Sequence, residues 1–127
     1  MGADGLVGVM VVDDQEPFRR VVGELIDAIP EFELVGEATS GAEALSSLEE
    51  LAPDFVIVDK RMPGITGIET AGLIMARRPG TVVVLVSLEA PDQTVLGSTG
   101  AAAFVRKQEI STRLLRRIWH EASSGSH

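Results

Sequence analysis

The chain contains no cysteine. Disulfides and thiolate metal sites are therefore excluded. Basic residues are scarce: 11 Lys and Arg stand against 19 Asp and Glu, a formal net charge of −8. Such a balance has no general attraction for nucleic acid, which needs a basic face. Most of the acidity reads as ordinary solubility. There is no apolar run long enough to span a bilayer and no signal-peptide pattern at the start, so a soluble cytoplasmic protein is expected. Internal repeats and low-complexity tracts are missing too. What is present is 127 residues with 45% hydrophobic content, enough for one domain with a real core. Residues 1–5 and 123–127 read as flexible ends, the last few as a cloning remnant with part of a tag, which leaves 6–122 as the domain.

The stretch from Asp54 to Asp59 organises the rest. Pro53-Asp54 signals a turn, Phe55 to Val58 are apolar, and Asp59 closes the run. A short run of aromatic and β-branched residues between polar ones reads as a strand buried on both faces. Leu6–Val12 is a similar run ending in Asp13-Asp14, and Thr81–Ser87 is another. Phe32–Ala38 is shorter and more polar, which suits an edge strand, and Ala102–Arg106 reads as a fifth strand.

Helices are expected between these strands. Pro17 falls where a first turn tolerates it, and Phe18, Val21, Val22, Leu25, Ile26 and Ile29 follow at helical spacing before Pro30. Ser40-x-x-Glu43 and Thr66-x-x-Glu69 have the form of capping boxes, opening helices that run to about Leu51 and Arg78. A short, weak helix is expected over Asp92–Ser98, and a last one after Ser111 that buries Leu114, Leu115, Ile118 and Trp119. Five strands alternating with five helices predict an α/β fold: a flavodoxin-like (βα)5 three-layer sandwich, its parallel five-stranded sheet in the order 2-1-3-4-5. In open sheets of this kind, ligands bind beyond the carboxyl ends of the strands. That order brings Asp13, Asp14 and Asp59 together there.

Three crowded carboxylates repel one another and call for a positive charge among them. A hard divalent cation answers that need, and oxygen ligands with room for water suit Mg²⁺. A plainer reading of Asp14 is helix N-capping, which is compatible with metal binding. Lys107 follows the fifth strand, where a lone lysine is usually a solvated one but beside carboxylates serves as a point charge for a phosphoryl oxygen. Ser87 ends the fourth strand, as many turn serines do, and places a hydroxyl near the same spot. Phe104 reads by default as core. Arg113, Arg116, Arg117 and His120 read as a solvated basic face on the last helix, suited to dimer contacts or to docking a following domain.

Taken together, Asp13-Asp14, the Asp59-Lys-Arg-Met-Pro-Gly64 loop, Ser87 and Gly100–Lys107 resemble the receiver domain of two-component response regulators, over roughly residues 6 to 121. The resemblance implies that a sensor histidine kinase, or a small acyl phosphate, donates a phosphoryl group to Asp59 in a Mg²⁺-dependent reaction. It implies direct metal ligation by Asp14 and Asp59, a water-mediated role for Asp13, and a third protein ligand in the Arg61 backbone carbonyl. Lys107 and Ser87 are implied to hold the phosphoryl group. Ser87 and Phe104 are implied to switch and so remodel the surface of the helix after the fourth strand, the fifth strand and the last helix. That surface is also implied to serve a homodimer, and DNA is reached only through an output domain beyond this chain. It implies, finally, a domain that catalyses its own phosphorylation and dephosphorylation without being a conventional enzyme.

Gln108 replaces the proline that follows the lysine in many members, as in receivers of the LuxR/NarL type. The Ser87–Lys107 segment is about half a helical turn short, which puts switching of the intervening helix in question. Leu88, where small residues are common, narrows access to the site. Arg61 and Glu89, each two places after a site residue, are expected to pair across its mouth and prolong the phosphorylated state; two solvated charges are the plain alternative. Two other functions stay open: a pseudo-receiver that binds partners with an inert pocket, and a Mg²⁺-dependent aspartyl phosphohydrolase. The second is disfavoured by Arg61, which stands where such enzymes place a second carboxylate.

Overall fold

The structure is a computed structural model that describes residues 5–90, 94, 97 and 99–124. Its five strands are β1 (Val7–Val12), β2 (Phe32–Ala38), β3 (Phe55–Asp59), β4 (Val82–Ser87) and β5 (Ala103–Arg106). All pair in parallel, in the order β2-β1-β3-β4-β5. The helices among the described residues are α1 (Glu16–Asp27), α2 (Gly41–Leu51), α3 (Gly67–Arg77) and α4 (Thr112–Ser124), with a 3-10 turn at Lys107–Glu109. This is the flavodoxin-like arrangement expected from the sequence. The helix expected over Asp92–Ser98, and with it the question of its length, lies mostly outside the described residues, as do Met1–Asp4 and Gly125–His127.

Period-two alternation splits the core between the two faces of the sheet. Met10, Val12, Val56, Val58, Val83 and Leu85 join Ala44 and Leu48 of α2 and Ala71 and Ile74 of α3. Val9, Val11, Phe55, Ile57, Val84 and Val86 join Val22 and Ile26 of α1 and Leu115 and Ile118 of α4. Trp119 stacks on Phe55 with ring centroids 5.9 Å apart. Removing a buried residue such as Ile57 or Leu85 to alanine typically costs 2–5 kcal/mol, so this double core is the main source of stability.

The same alternation places the chemistry. Val11 pairs with Ile57, so continuing the register by two residues sets Asp13 opposite Asp59, on one face of the sheet. Asp13 N–H still donates to the Ala38 carbonyl at 3.0 Å, which holds the end of β1 in line.

Several local expectations need correcting. At seven residues β2 is the longest strand rather than a short one; its polarity, and a bulge that skips Val35, mark it as the edge. Asp14 does not cap α1. The N-cap is Gln15 without a side-chain bond, and Gln15 N–H instead donates to Asp13 Oδ1 at 2.8 Å. Val21 is 44% exposed, because the buried stripe of α1 narrows to Val22 and Ile26, with Ile29 buried just past the helix end. The α3 capping box is complete, whereas in α2 Glu43 reaches past Ser40 to Thr39 N–H. The last helix, α4, runs through Ser123 and Ser124, and the Ser123 hydroxyl donates to the Trp119 carbonyl at 2.6 Å.

Candidate functional site

Asp13, Asp14 and Asp59 each offer a carboxylate oxygen, and these oxygens lie within 4.8 Å of one another. Asp13 is fully buried, Asp59 is buried and Asp14 is exposed. Lys107 reaches in from the end of β5. Its Nζ lies 2.6 Å from Asp13 Oδ2 and 3.5 Å from Asp59 Oδ2. Burial pushes the Asp59 carboxyl above its ordinary value of 3.8, and the Asp13 carboxylate pushes it further; the Lys107 ammonium and the Arg61 N–H pull the other way. The group is thus under-compensated by the protein alone, and a cation would offset the excess negative charge. The donor set is all carboxylate oxygen and one member faces solvent, which fits a hard divalent ion that keeps several waters.

A cleft of about 460 Å³ opens over these groups, lined by Asp14, Asp59, Arg61, Ser87, Leu88, Glu89 and Lys107, with Gln15 at its edge. Every expected site residue except Asp13, which lies beneath, and Phe104 therefore meets at one opening. Ser87 is buried, and its Oγ accepts from Glu89 N–H at 3.1 Å. Leu88 is 67% exposed on the rim. Arg61 Nη2 lies 2.8 Å from Glu89 Oε1, so the two charges pair across the mouth, both well exposed. Phe104 is buried on the α2–α3 face of the core, away from the opening.

The loop that carries Asp59 has little freedom. Lys60 N–H donates to the Val86 carbonyl, and the Lys60 carbonyl accepts from Gly67 N–H at 2.9 Å. A Cβ at Gly67 would run into the Asp59 carbonyl, so α3 starts against the acceptor loop only because residue 67 has no side chain.

Residues 9–119 match the family model for the response regulator receiver domain. The chain belongs to the response regulator receiver family. A protein-glutamate methylesterase/protein-glutamine glutaminase of Thermotoga maritima is 35% identical over 117 residues, covering 90% of this chain and 34% of the relative. The DNA-binding transcriptional activator DevR/DosR of Mycobacterium tuberculosis is 33% identical over 115 residues, 89% of this chain and 53% of that protein. A LuxR-family two-component response regulator from Aurantimonas sp. superimposes with a TM-score of 0.82 at 26% identity, covering 94% of this chain and 86% of the other. The receiver thus spans between about a quarter and a half of the curated relatives it matches. The matches to the methylesterase relatives cover only this receiver portion, and the receiver is not itself a catalytic family. No helix among the described residues is long and apolar enough to cross a membrane.

Three supporting residues around the receiver site were not legible beforehand. Phe18 lies under the Lys107 ammonium, 4.5 Å from Nζ to its ring centroid, so it walls and orients the lysine rather than serving only the core. Lys60 sits 5.6 Å from the Phe104 ring centroid. Arg19 reaches back from α1 to the Asp13 carbonyl at 2.7 Å. The first two join segments far apart in sequence, and the third turns a helix side chain back onto the end of β1; neither helical nor strand periodicity carries such a signal.

Proposed function

We propose that this receiver domain is a cytoplasmic switch that accepts a phosphoryl group on Asp59 from a sensor histidine kinase. The observation that carries the reading is the Lys107 ammonium set between Asp13 and Asp59, with Asp14 completing an oxygen cluster at the open cleft. An Asp59 oxygen attacks phosphorus in line; the new O–P bond forms as the bond to the donor nitrogen or acyl oxygen breaks, and the leaving group takes the electron pair. Lys107 pairs with one phosphoryl oxygen, and the Ser87 hydroxyl turns inward to donate to another. Asp14 and Asp59 with the Arg61 carbonyl, and Asp13 through water, are suited to Mg²⁺, which when bound supplies neutralisation of the charge that develops on the transferred group. Phe104 then changes rotamer and β5 and α4 present an altered face, a local charge event read out through a two-state element. That face serves a homodimer or an attached DNA-binding output domain; the similarity to DevR/DosR and to a LuxR-family regulator supports the latter. An aspartyl phosphohydrolase is the weaker reading, since Arg61 is bound to Glu89 where that chemistry needs a carboxylate.

The test is intact mass after incubation with acetyl phosphate, with and without Mg²⁺. A gain of one phosphoryl group only with Mg²⁺ is the expected result. No gain from a folded protein that binds Mg²⁺ would replace this reading with the inert-pocket interaction module.

Lifetime of the phosphorylated form gives a second prediction. The Arg61–Glu89 pair and Leu88 close part of the mouth through which an attacking water must come. Exposed pairs contribute about 0–1 kcal/mol, so Arg61→Ala or Glu89→Ala should shorten the lifetime roughly two- to fivefold. An unchanged decay rate in both variants would rule the gate out.

A further inference from the structure

Asp14 has an exposed carboxylate, and among the described residues it makes no hydrogen bond or ion pair. With no such partner to hold it, the reach of the carboxylate depends on where the backbone places its Cα and Cβ. That backbone is held from the other side. Arg19 Nη1 donates to the Asp13 carbonyl at 2.7 Å, while Asp13 N–H is fixed on the Ala38 carbonyl at 3.0 Å. The Asp13 carbonyl and the Asp14 N–H share one planar peptide unit, so a charge-assisted bond to that oxygen fixes the direction in which Asp14 leaves it. The guanidinium is itself placed by Glu37 at the end of β2, with Nε 3.2 Å from Oε1, and the Arg19 side chain is only 14% exposed. A half-buried arginine with its fork spent on one carbonyl and one carboxylate is too constrained for a solvated surface charge.

We propose that Arg19, aligned by Glu37, is a positioning residue for the metal carboxylates: it locks the Asp13–Asp14 peptide so that Asp14 points into the cation site. The proposal rests on the reading of Asp13, Asp14 and Asp59 as a divalent-cation site. It goes further in assigning part of the site's affinity to a residue that never touches the ion. Groups that orient metal ligands from behind typically contribute 10- to 100-fold in affinity.

The test is titration of the full chain with MgCl2 by calorimetry, alongside circular dichroism and thermal melting without metal. Arg19→Met should weaken Mg²⁺ binding about tenfold or more while the far-ultraviolet spectrum is kept. Arg19→Lys, which keeps the charge and the reach to the carbonyl but not the fork, should recover part of the loss. Glu37→Ala should give a smaller loss in the same direction. A role confined to tying β2 to α1 predicts the reverse pattern, a lower melting temperature with affinity unchanged, and that result would overturn the proposal. If Arg19→Met does not fold, the Lys and Glu37 variants decide: parental affinity in both overturns it. Asp14→Asn separates the two levels. Parental Mg²⁺ binding in that variant would sink the cation site and this inference together, whereas weakened binding there with parental binding in the Arg19 variants would sink this inference alone.

Discussion

Asp59→Asn should abolish the Mg²⁺-dependent phosphoryl gain and, in metal-free buffer at neutral pH, raise the melting temperature. The first effect is total because the amide offers no nucleophilic oxygen. The second follows from the electrostatics of the empty cluster. Burial and the Asp13 carboxylate hold the Asp59 carboxyl above its ordinary value, and they outweigh the Lys107 ammonium at 3.5 Å. A raised value in the folded state means that the stability linked to this group is fully present below about 3.8 and is lost as pH rises through the folded value. The ionised form of Asp59 therefore costs the metal-free native protein stability. The isosteric amide removes the charge and the repulsion together. Each 1 kcal/mol of relief corresponds to roughly 3–6 °C for a domain of this size. Melting curves from pH 3 to 8 should show the two proteins converging at the acid end and separating as pH rises. Saturating Mg²⁺ should close the gap by stabilising the native cluster. A variant that melts below the parent throughout, in the absence of metal, would mean that Lys107 already over-compensates the cluster.

How far the sequence carried depended on range. Apolar runs ending in acidic residues placed β1 and β3, and the only remaining question was their neighbourhood. Alternating strands and helices answered it, because right-handed crossovers leave few sheet orders. Asp13, Asp14, Asp59, Ser87 and Lys107 were readable because all stand at the carboxyl ends of strands, where the topology gathers them. Asp14 as a helix cap was misread, since a polar residue before a helix carries the same local signal whether or not its side chain turns back; here Asp13 Oδ1 takes the Gln15 N–H instead. Phe18 sat inside an amphipathic pattern that explained it as core, and Arg19 beside it carried no signal of its own. Their roles come from the angle at which α1 leaves β1, a tertiary property with no period of its own. The Lys60–Phe104 contact is hidden in the same way, joining the β3 loop to β5 across 44 positions of sequence.

Lys107→Met tests the opposite side of the balance. Among the described residues, Asp13 Oδ1 is bonded to the Gln15 N–H, and the fully buried Oδ2 faces the Lys107 ammonium at 2.6 Å. Losing one partner of a buried pair typically costs about 3–5 kcal/mol, because the other charge is left behind without water. In metal-free buffer the variant should melt roughly 10–20 °C below the parent. The methionine keeps most of the apolar stem of the lysine, so the loss reports the charge and not a large cavity. Adding Asp13→Asn should restore much of the stability, since no buried charge then lacks a partner; a double-mutant cycle should show strong coupling between the two positions. Phosphoryl acceptance should behave differently. It should fall at least about a hundredfold in Lys107→Met, the usual effect of removing one donor aimed at developing charge, and the second substitution should not bring it back. Stability rescued while the reaction stays lost would separate the two tasks of this lysine: holding Asp13 before the phosphoryl group arrives, and holding the phosphoryl oxygen afterwards. Stability within about 2 °C of the parent in the single variant would instead mean that Asp13 is not a buried charge balanced by Lys107.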